Sequence, residues 1–142
     1  MAFTIDNRAR PGELLKRDAR KRRPVTAARQ ESGSHLAFVR ALPCIISGRR
    51  PVDAAHVRLA SRLHGKPLTG IGVKPDDRWT LPLHHELHMA QHAFPDGELA
   101  FWRHHGVRDP LVVCMRLWEV SGDVDAGERV IADAIAATGD RT

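Results

Sequence analysis

Hydrophobic and polar positions along this chain change their rhythm several times, and each change marks a predicted element. Residues 35–46 (HLAFVRALPCII) are mostly apolar and are expected to run from a short helix into a strand at Pro43. The turn-forming stretch SGRRP (47–51) follows, and VDAAHVRLA (52–60) resumes as a return strand, so a β-hairpin is expected at about 43–59. Residues 61–78 hold three glycines and two prolines and follow no period, which predicts a loop. TLPLHHELHMAQH (80–92) then reads as a helix, with Thr80 as its cap and Pro82 in its first turn. Three more helices are expected: DGELAFWRHHG stopped by Gly106, LVVCMRLWEVSG opened by Asp109-Pro110, and a last one at about 124–138 before Gly139. Upstream, GELLKRDARKRR after Pro11 is expected to form a helix that Pro24 ends, and TAARQESGS (26–34) reads as a linker. The pattern predicts an α+β chain, mostly helical. A basic N-terminal arm and linker (1–34) precede one domain (35–142), whose later part, about 95–140, is a helical cap.

Composition adds two exclusions. With 42% hydrophobic and 27% charged residues the chain is globular in character, and no apolar run is long enough to span a membrane. The basic N-terminus lacks the apolar core of a secretory signal. Cys44 and Cys114 form no closely spaced pair, which argues against a disulfide framework and for a reducing cytoplasm. Charge changes the picture once it is divided. Of a net +5, the first 30 residues carry +6, so the excess is a basic arm on a near-neutral domain. Its densest part is Arg20, Lys21, Arg22 and Arg23. Such an arm either lies on a phosphate backbone, releasing condensed counterions, or is a solvated leader.

The histidines are the first candidate chemistry. His84, His85, His88 and His92 crowd into LHHELHMAQH. If this stretch is helical throughout, His84, His88 and His92 line one face, each about 6 Å along the axis from the next. Two imidazoles four residues apart can hold one divalent ion; the alternative is a solvated polar face. His56, late in the second expected strand, is either a core histidine with one hydrogen bond or a reacting group. Phe101, Trp102 and Trp118 fall on apolar helix faces and are expected to pack in the core, and Cys114 to be a buried apolar residue. His104 and His105 sit at a helix end, where they favour the dipole.

The order of these parts carries a family resemblance. LPCIISG (42–48), AAHV (54–57), GKPLTGIGVKPDDRWTLPLHHELHMAQH (65–92) and GELAFWRHHGVRDP (97–110) resemble the His-Asn-His, or ββα-metal, endonucleases. The likeness is to a small phage and prophage branch related to recombination-associated nucleases, and it covers about half the chain. It implies a β-hairpin-plus-helix metal finger, DNA as partner, and hydrolysis of phosphodiester bonds. His56 would be the general base and His88 and His92 the ligands of one divalent ion, with His84 as a further candidate. Members often hold a structural zinc through two pairs of cysteines. The matching positions here are Cys44 with Ser47 and His84 with Leu87, so no structural zinc is expected. The family's middle asparagine is missing, with Trp79 or Asp77 nearest, and Ala55 stands where some branches place an acidic ligand. Asp53 lies three residues before His56, and strand alternation points it away from the His56 face. Asp77 is the candidate for a third ligand or an orienting group.

The chemistry follows from the residue types. Neutral His56, with an ordinary pKa near 6.5, suits proton abstraction from water at physiological pH. Imidazole ligands favour Zn, Ni, Co or Mn, although Mg or Mn can support turnover. Arg58, Arg62, Lys66 and Lys74 are candidate phosphate contacts or ordinary surface charge. Two other readings compete with the nuclease. One is a non-catalytic nucleic-acid-binding module of the same fold, serving recombination or packaging. The other is an interaction or metal-storage domain built on the histidine row.

Overall fold

The computed structural model describes residues 29–68 and 74–139. The helix expected after Pro11, and with it Arg20, Lys21, Arg22 and Arg23, lies outside the described residues. Within them the chain is α+β and mostly helical, with five helices and one antiparallel pair of strands.

Helix α1 (Gly33–Arg40) starts where the Ser32 side chain accepts a hydrogen bond from the His35 amide, and it buries His35, Phe38 and Val39. Pro43 follows three residues after its end, and the residue before a proline is disfavoured in helical geometry. The chain then turns tightly through 44–49, where the Gly48 amide donates to Cys44 O and the Cys44 amide to Arg49 O. Gly48 takes φ +69°, a conformation that suits glycine.

The expected hairpin at 43–59 does not form. Strand β1 (Asp53–His56) pairs instead with β2 (Thr80–Leu83), with Asp53 opposite Leu83, Ala54 opposite Pro82, Ala55 opposite Leu81 and His56 opposite Thr80. TLPL is therefore strand, and the helix expected from Thr80 begins only at His85. The reason is burial: all four β2 side chains are buried, and a short apolar run carries no period that separates strand from helix. Pro82, which has no amide hydrogen, is tolerated because it faces away from the β1 ladder; its carbonyl accepts from the Ile45 amide instead. Thr80 donates its hydroxyl to Asp77 O and fixes the entry to β2. The connection between the strands carries a small closed loop, with Ser61 and Lys66 exchanging both backbone hydrogen bonds.

The remaining helices are α2 (His85–Ala93), α3 (Glu98–His104), α4 (Pro110–Glu119) and α5 (Val124–Gly139), near their expected positions. Asp109 caps α4 by accepting from the Val112 amide, with Pro110 in the first turn. Gly106 turns the chain after α3 at φ +76°, and a Cβ there would meet the Thr138 side chain at 2.8 Å. Phe101, Trp102, Leu117 and Ile131 are fully buried and join α3, α4 and α5 to Leu81 and Leu83 of β2. Both cysteines are free and buried, and burial pushes the Cys114 thiol up. Among the described residues no helix is long and apolar enough to cross a membrane.

Candidate functional site

Alternation along β1 buries Ala55 in the core and turns Ala54 and His56 to the other face. There they border a cavity of about 350 Å³. His88 and His92 reach it from α2, Leu36 and Arg40 from α1, Arg58 from the chain leaving β1, and Arg29 and Lys74 from the segments before α1 and β2.

Asp77 organises the first half of the site. It is 2% exposed, and its Oδ1 lies 2.9 Å from His56 Nε2 and accepts the Arg29 guanidinium, while Oδ2 accepts the Ser32 amide at 2.8 Å. Arg29 is itself fixed by Pro75 O and Glu31. Burial pushes the Asp77 carboxyl up, but the Ser32 amide, the His56 imidazole and the Arg29 charge pull it below the usual carboxylate range. An ionised carboxylate only accepts, so the proton on His56 sits at Nε2 and Nδ1 carries the lone pair. Burial lowers the His56 pKa, Asp77 opposes it, and Arg29 and Lys74 add to the lowering. At neutral pH His56 is an uncharged imidazole with a fixed tautomer.

The second half is the histidine pair. His88 Nε2 and His92 Nε2 face each other at 3.2 Å across one helical turn. That separation matches the bite of two imidazoles on one divalent ion, whose metal–nitrogen bonds are about 2.0–2.1 Å. His88 Nδ1 donates to Asp53 Oδ2 at 3.0 Å, and His85 Nδ1 to the same oxygen at 2.8 Å. These bonds hold the Asp53 carboxyl below its usual range, the one from His88 first. The arrangement leaves His88 Nε2 with its lone pair and fixes its ring, as a carboxylate behind a metal-bound histidine does. Burial, then His88, lowers the His92 pKa, which favours the neutral ligand form. Among the described residues no group of three or more histidines, cysteines or carboxylates converges on one point. The residues that could hold an ion are therefore two imidazoles, those of His88 and His92, whose Nε2 atoms lie 3.2 Å apart.

A buried polar junction joins the halves. Gln91 Nε2 donates to His56 O and to Glu98 Oε1, each at 3.0 Å. Glu98 also accepts from Trp102 Nε1 and from the Arg58 amide. The exit of β1, helix α2 and helix α3 thus meet at one carboxylate.

Of the residues singled out from sequence, His56, His88, His92, Arg58 and Lys74 share the cavity, and Asp77 lies directly behind His56. Asp77 touches neither His88 nor His92, so its geometry is that of an orienting group and not of a third ligand. His84 departs from the expectation. With strand up to Leu83 it becomes the residue before α2, outside the cavity lining, and the expected row of three is a pair. Lys66 is corrected too: only 3% exposed, its Nζ lies in the interior with no hydrogen-bond partner among the described residues. Arg62 stays exposed on the Ser61–Lys66 loop and does not line the cavity. Arg29, Arg40, Leu36, Asp53, Gln91 and Glu98 were not identified from sequence. Arg29 and Arg40 gave no signal, since lone cations carry no positional pattern. Asp53 was weighed and set aside because strand alternation points it away from the His56 face; its partners, His85 and His88, come from α2 instead. Neither family models, nor curated proteins, nor solved structures give a match to this chain.

Proposed function

We propose that this chain is a metal-dependent endonuclease of the ββα-metal type, hydrolysing phosphodiester bonds of DNA. The supporting observation is the single cavity in which a tautomer-fixed His56, the His88–His92 pair and four cations (Arg29, Arg40, Arg58 and Lys74) face one another. Hydrolysis needs a base for water, positive charge around the phosphate and help for the leaving oxygen, and each has a candidate here. His56 Nδ1 takes the proton from the attacking water, and Asp77 stabilises the imidazolium that forms. Arg58 and Lys74, in no ion pair among the described residues, hold the phosphate. A divalent ion on His88 and His92, when bound, supplies Lewis-acid stabilisation of the phosphate and the leaving oxygen. Asp53 positions His88, and Gln91 and Glu98 keep the two halves in register.

The order β1, β2, α2, with the base on the first strand and the ligands on the helix, fits the finger that the resemblance implies. The test is nicking of supercoiled plasmid by wild-type and His56→Ala protein with Mg, Mn, Ni, Zn or EDTA. Metal-dependent cleavage that disappears in the variant is expected. Cleavage that persists in His56→Ala sinks the assignment of the base. DNA binding without cleavage under any metal makes the chain a binding module.

A further inference from the structure

The sequence resemblance begins at residue 42, yet one wall of the cavity comes from α1, which ends before it. Leu36 and Arg40 are four residues apart and share one helical face, so both reach the cavity that holds His56, His88 and His92. Leu36 is half-buried and is, with Ala54, the apolar part of a lining otherwise made of cations and imidazoles. Arg40 is exposed and, unlike Arg29, has no carboxylate partner among the described residues.

We propose that this face of α1 is a nucleotide subsite beside the scissile phosphate, Arg40 binding the neighbouring phosphate and Leu36 lying against the sugar or base between. The inference rests on the nuclease reading and names what that reading leaves open: the substrate is a strand gripped at more than one phosphate. The charge inventory supports it. A scissile diester carries one negative charge, and Arg58, Lys74 and an ion on the histidine pair already meet it. Arg40 is a further cation on the same cavity with no carboxylate partner among the described residues, which a second phosphate would satisfy. A place in the last turn of α1 also suits Arg40 to the helix dipole, but that role requires neither the cavity nor Leu36 beside it.

The test is binding, read without cleavage. A fluorescein-labelled single-stranded oligonucleotide of about 12 nucleotides, within the span of one single-strand site, is titrated in EDTA and followed by anisotropy at several salt concentrations. Arg40→Ala is expected to weaken binding about tenfold and to reduce the salt slope by about 0.7, the share of one phosphate contact. Arg40→Lys restores the slope. Leu36→Ala weakens binding with no change in slope, because no counterion is involved. Arg103→Ala removes an exposed cation outside the cavity lining and is the control for lost charge. Equal effects of Arg40→Ala and Arg103→Ala overturn the subsite, as does failure of the wild type to bind. Plasmid cleavage is scored separately, so binding with no cleavage rejects the nuclease reading while the Arg40 comparison still decides the subsite. Melting temperatures of the variants exclude unfolding as the cause.

Discussion

Replacing Asp77 separates its structural role from its role toward His56. In Asp77→Ala the Ser32 amide, the His56 Nε2 proton and one face of the Arg29 guanidinium lose their acceptor at a position 2% exposed. Arg29 keeps Pro75 O and Glu31, so the loss is roughly two hydrogen bonds to an ionised acceptor, those from Ser32 and His56, at least about 3 kcal/mol. In a domain of this size that lowers the melting temperature by about 10 °C. Asp77→Asn keeps the shape and costs less, about 1 kcal/mol, because its NH₂ must still face a donor on one side. If the NH₂ turns to His56, the imidazole proton moves to Nδ1 and the lone pair leaves the cavity; if it turns to Ser32, two donors meet. The Asn variant is therefore expected to stay folded and to lose on the order of 10²-fold in plasmid-nicking rate. The direction of the pH response is fixed as well. Asp77 holds the His56 pKa up against burial, so its loss lowers that pKa, and the acid limb of the pH–rate profile moves to lower pH. Folded Asp77→Asn protein with wild-type rate, or with an acid limb moved upward, refutes the assignment of Asp77 as the partner that fixes His56.

Other perturbations reach other parts of the argument. Asp53→Ala removes the acceptor behind His88 and is expected to weaken Zn(II) or Ni(II) binding by about 10- to 100-fold in calorimetric titration; unchanged affinity rejects its positioning role. Gly127→Ala places a Cβ 2.7 Å from Phe38 Cζ, where α5 crosses α1, and should cost about 1–3 kcal/mol in urea unfolding. An unmoved urea midpoint means that the two helices are not packed so closely. His35 is wholly buried, with Nδ1 on Ser121 Oγ, its ring against Trp118 and its Nε2 without a partner among the described residues, and burial lowers its pKa. The unfolded chain then binds the proton more readily, so stability is full above about pH 6.5 and declines as pH falls toward the lowered folded value. His35→Phe should flatten that decline, and a pH dependence identical to wild type rejects the mechanism; His56, lowered for the same first reason, keeps part of it.

What was legible in the sequence divides along physical lines. The helices after residue 84 were readable because their ends are local: an Asp-Pro cap opens α4, and Gly106 ends the α3 turn. The location of β1 was readable from VDAAHV, but its partner was not. SGRRP between two apolar stretches looks like a hairpin turn, whereas the first stretch contributes one amide, from Ile45, to the far side of β2. Pairing with Thr80–Leu83 closes a long loop, and nothing in a four-residue TLPL run announces it. The same misreading extended α2 backwards and made His84 a member of the row. Residue type and order singled out His56, His88, His92 and Asp77, which the fold brings together. Lys66 was misjudged because a lysine near a glycine-rich loop reads as surface, while its position in the Ser61–Lys66 bridge turns it inward.

Helix α2 carries both candidate ligands, yet it has little to hold it in place by itself. It is nine residues long, too short to be stable alone in water, and Gln91 is its one fully buried side chain. Leu87 and Ala90 add partial apolar contact with the core. The rest of its attachment is polar and directional: Gln91 to His56 O and Glu98, His88 and His85 to Asp53. These are the bonds that aim His88 at the cavity and keep the backbone of His56 in register with it. An apolar contact would tolerate a small rotation of the helix, since it has no preferred direction. Hydrogen bonds at 3.0 Å or less do not, because they weaken steeply as donor and acceptor misalign. Docking α2 mainly through directional bonds therefore ties its attachment to the alignment of His88 and His92 with His56. A substitution that loosens the helix disorders the site before it reaches the core of Trp102, Leu117 and Ile131.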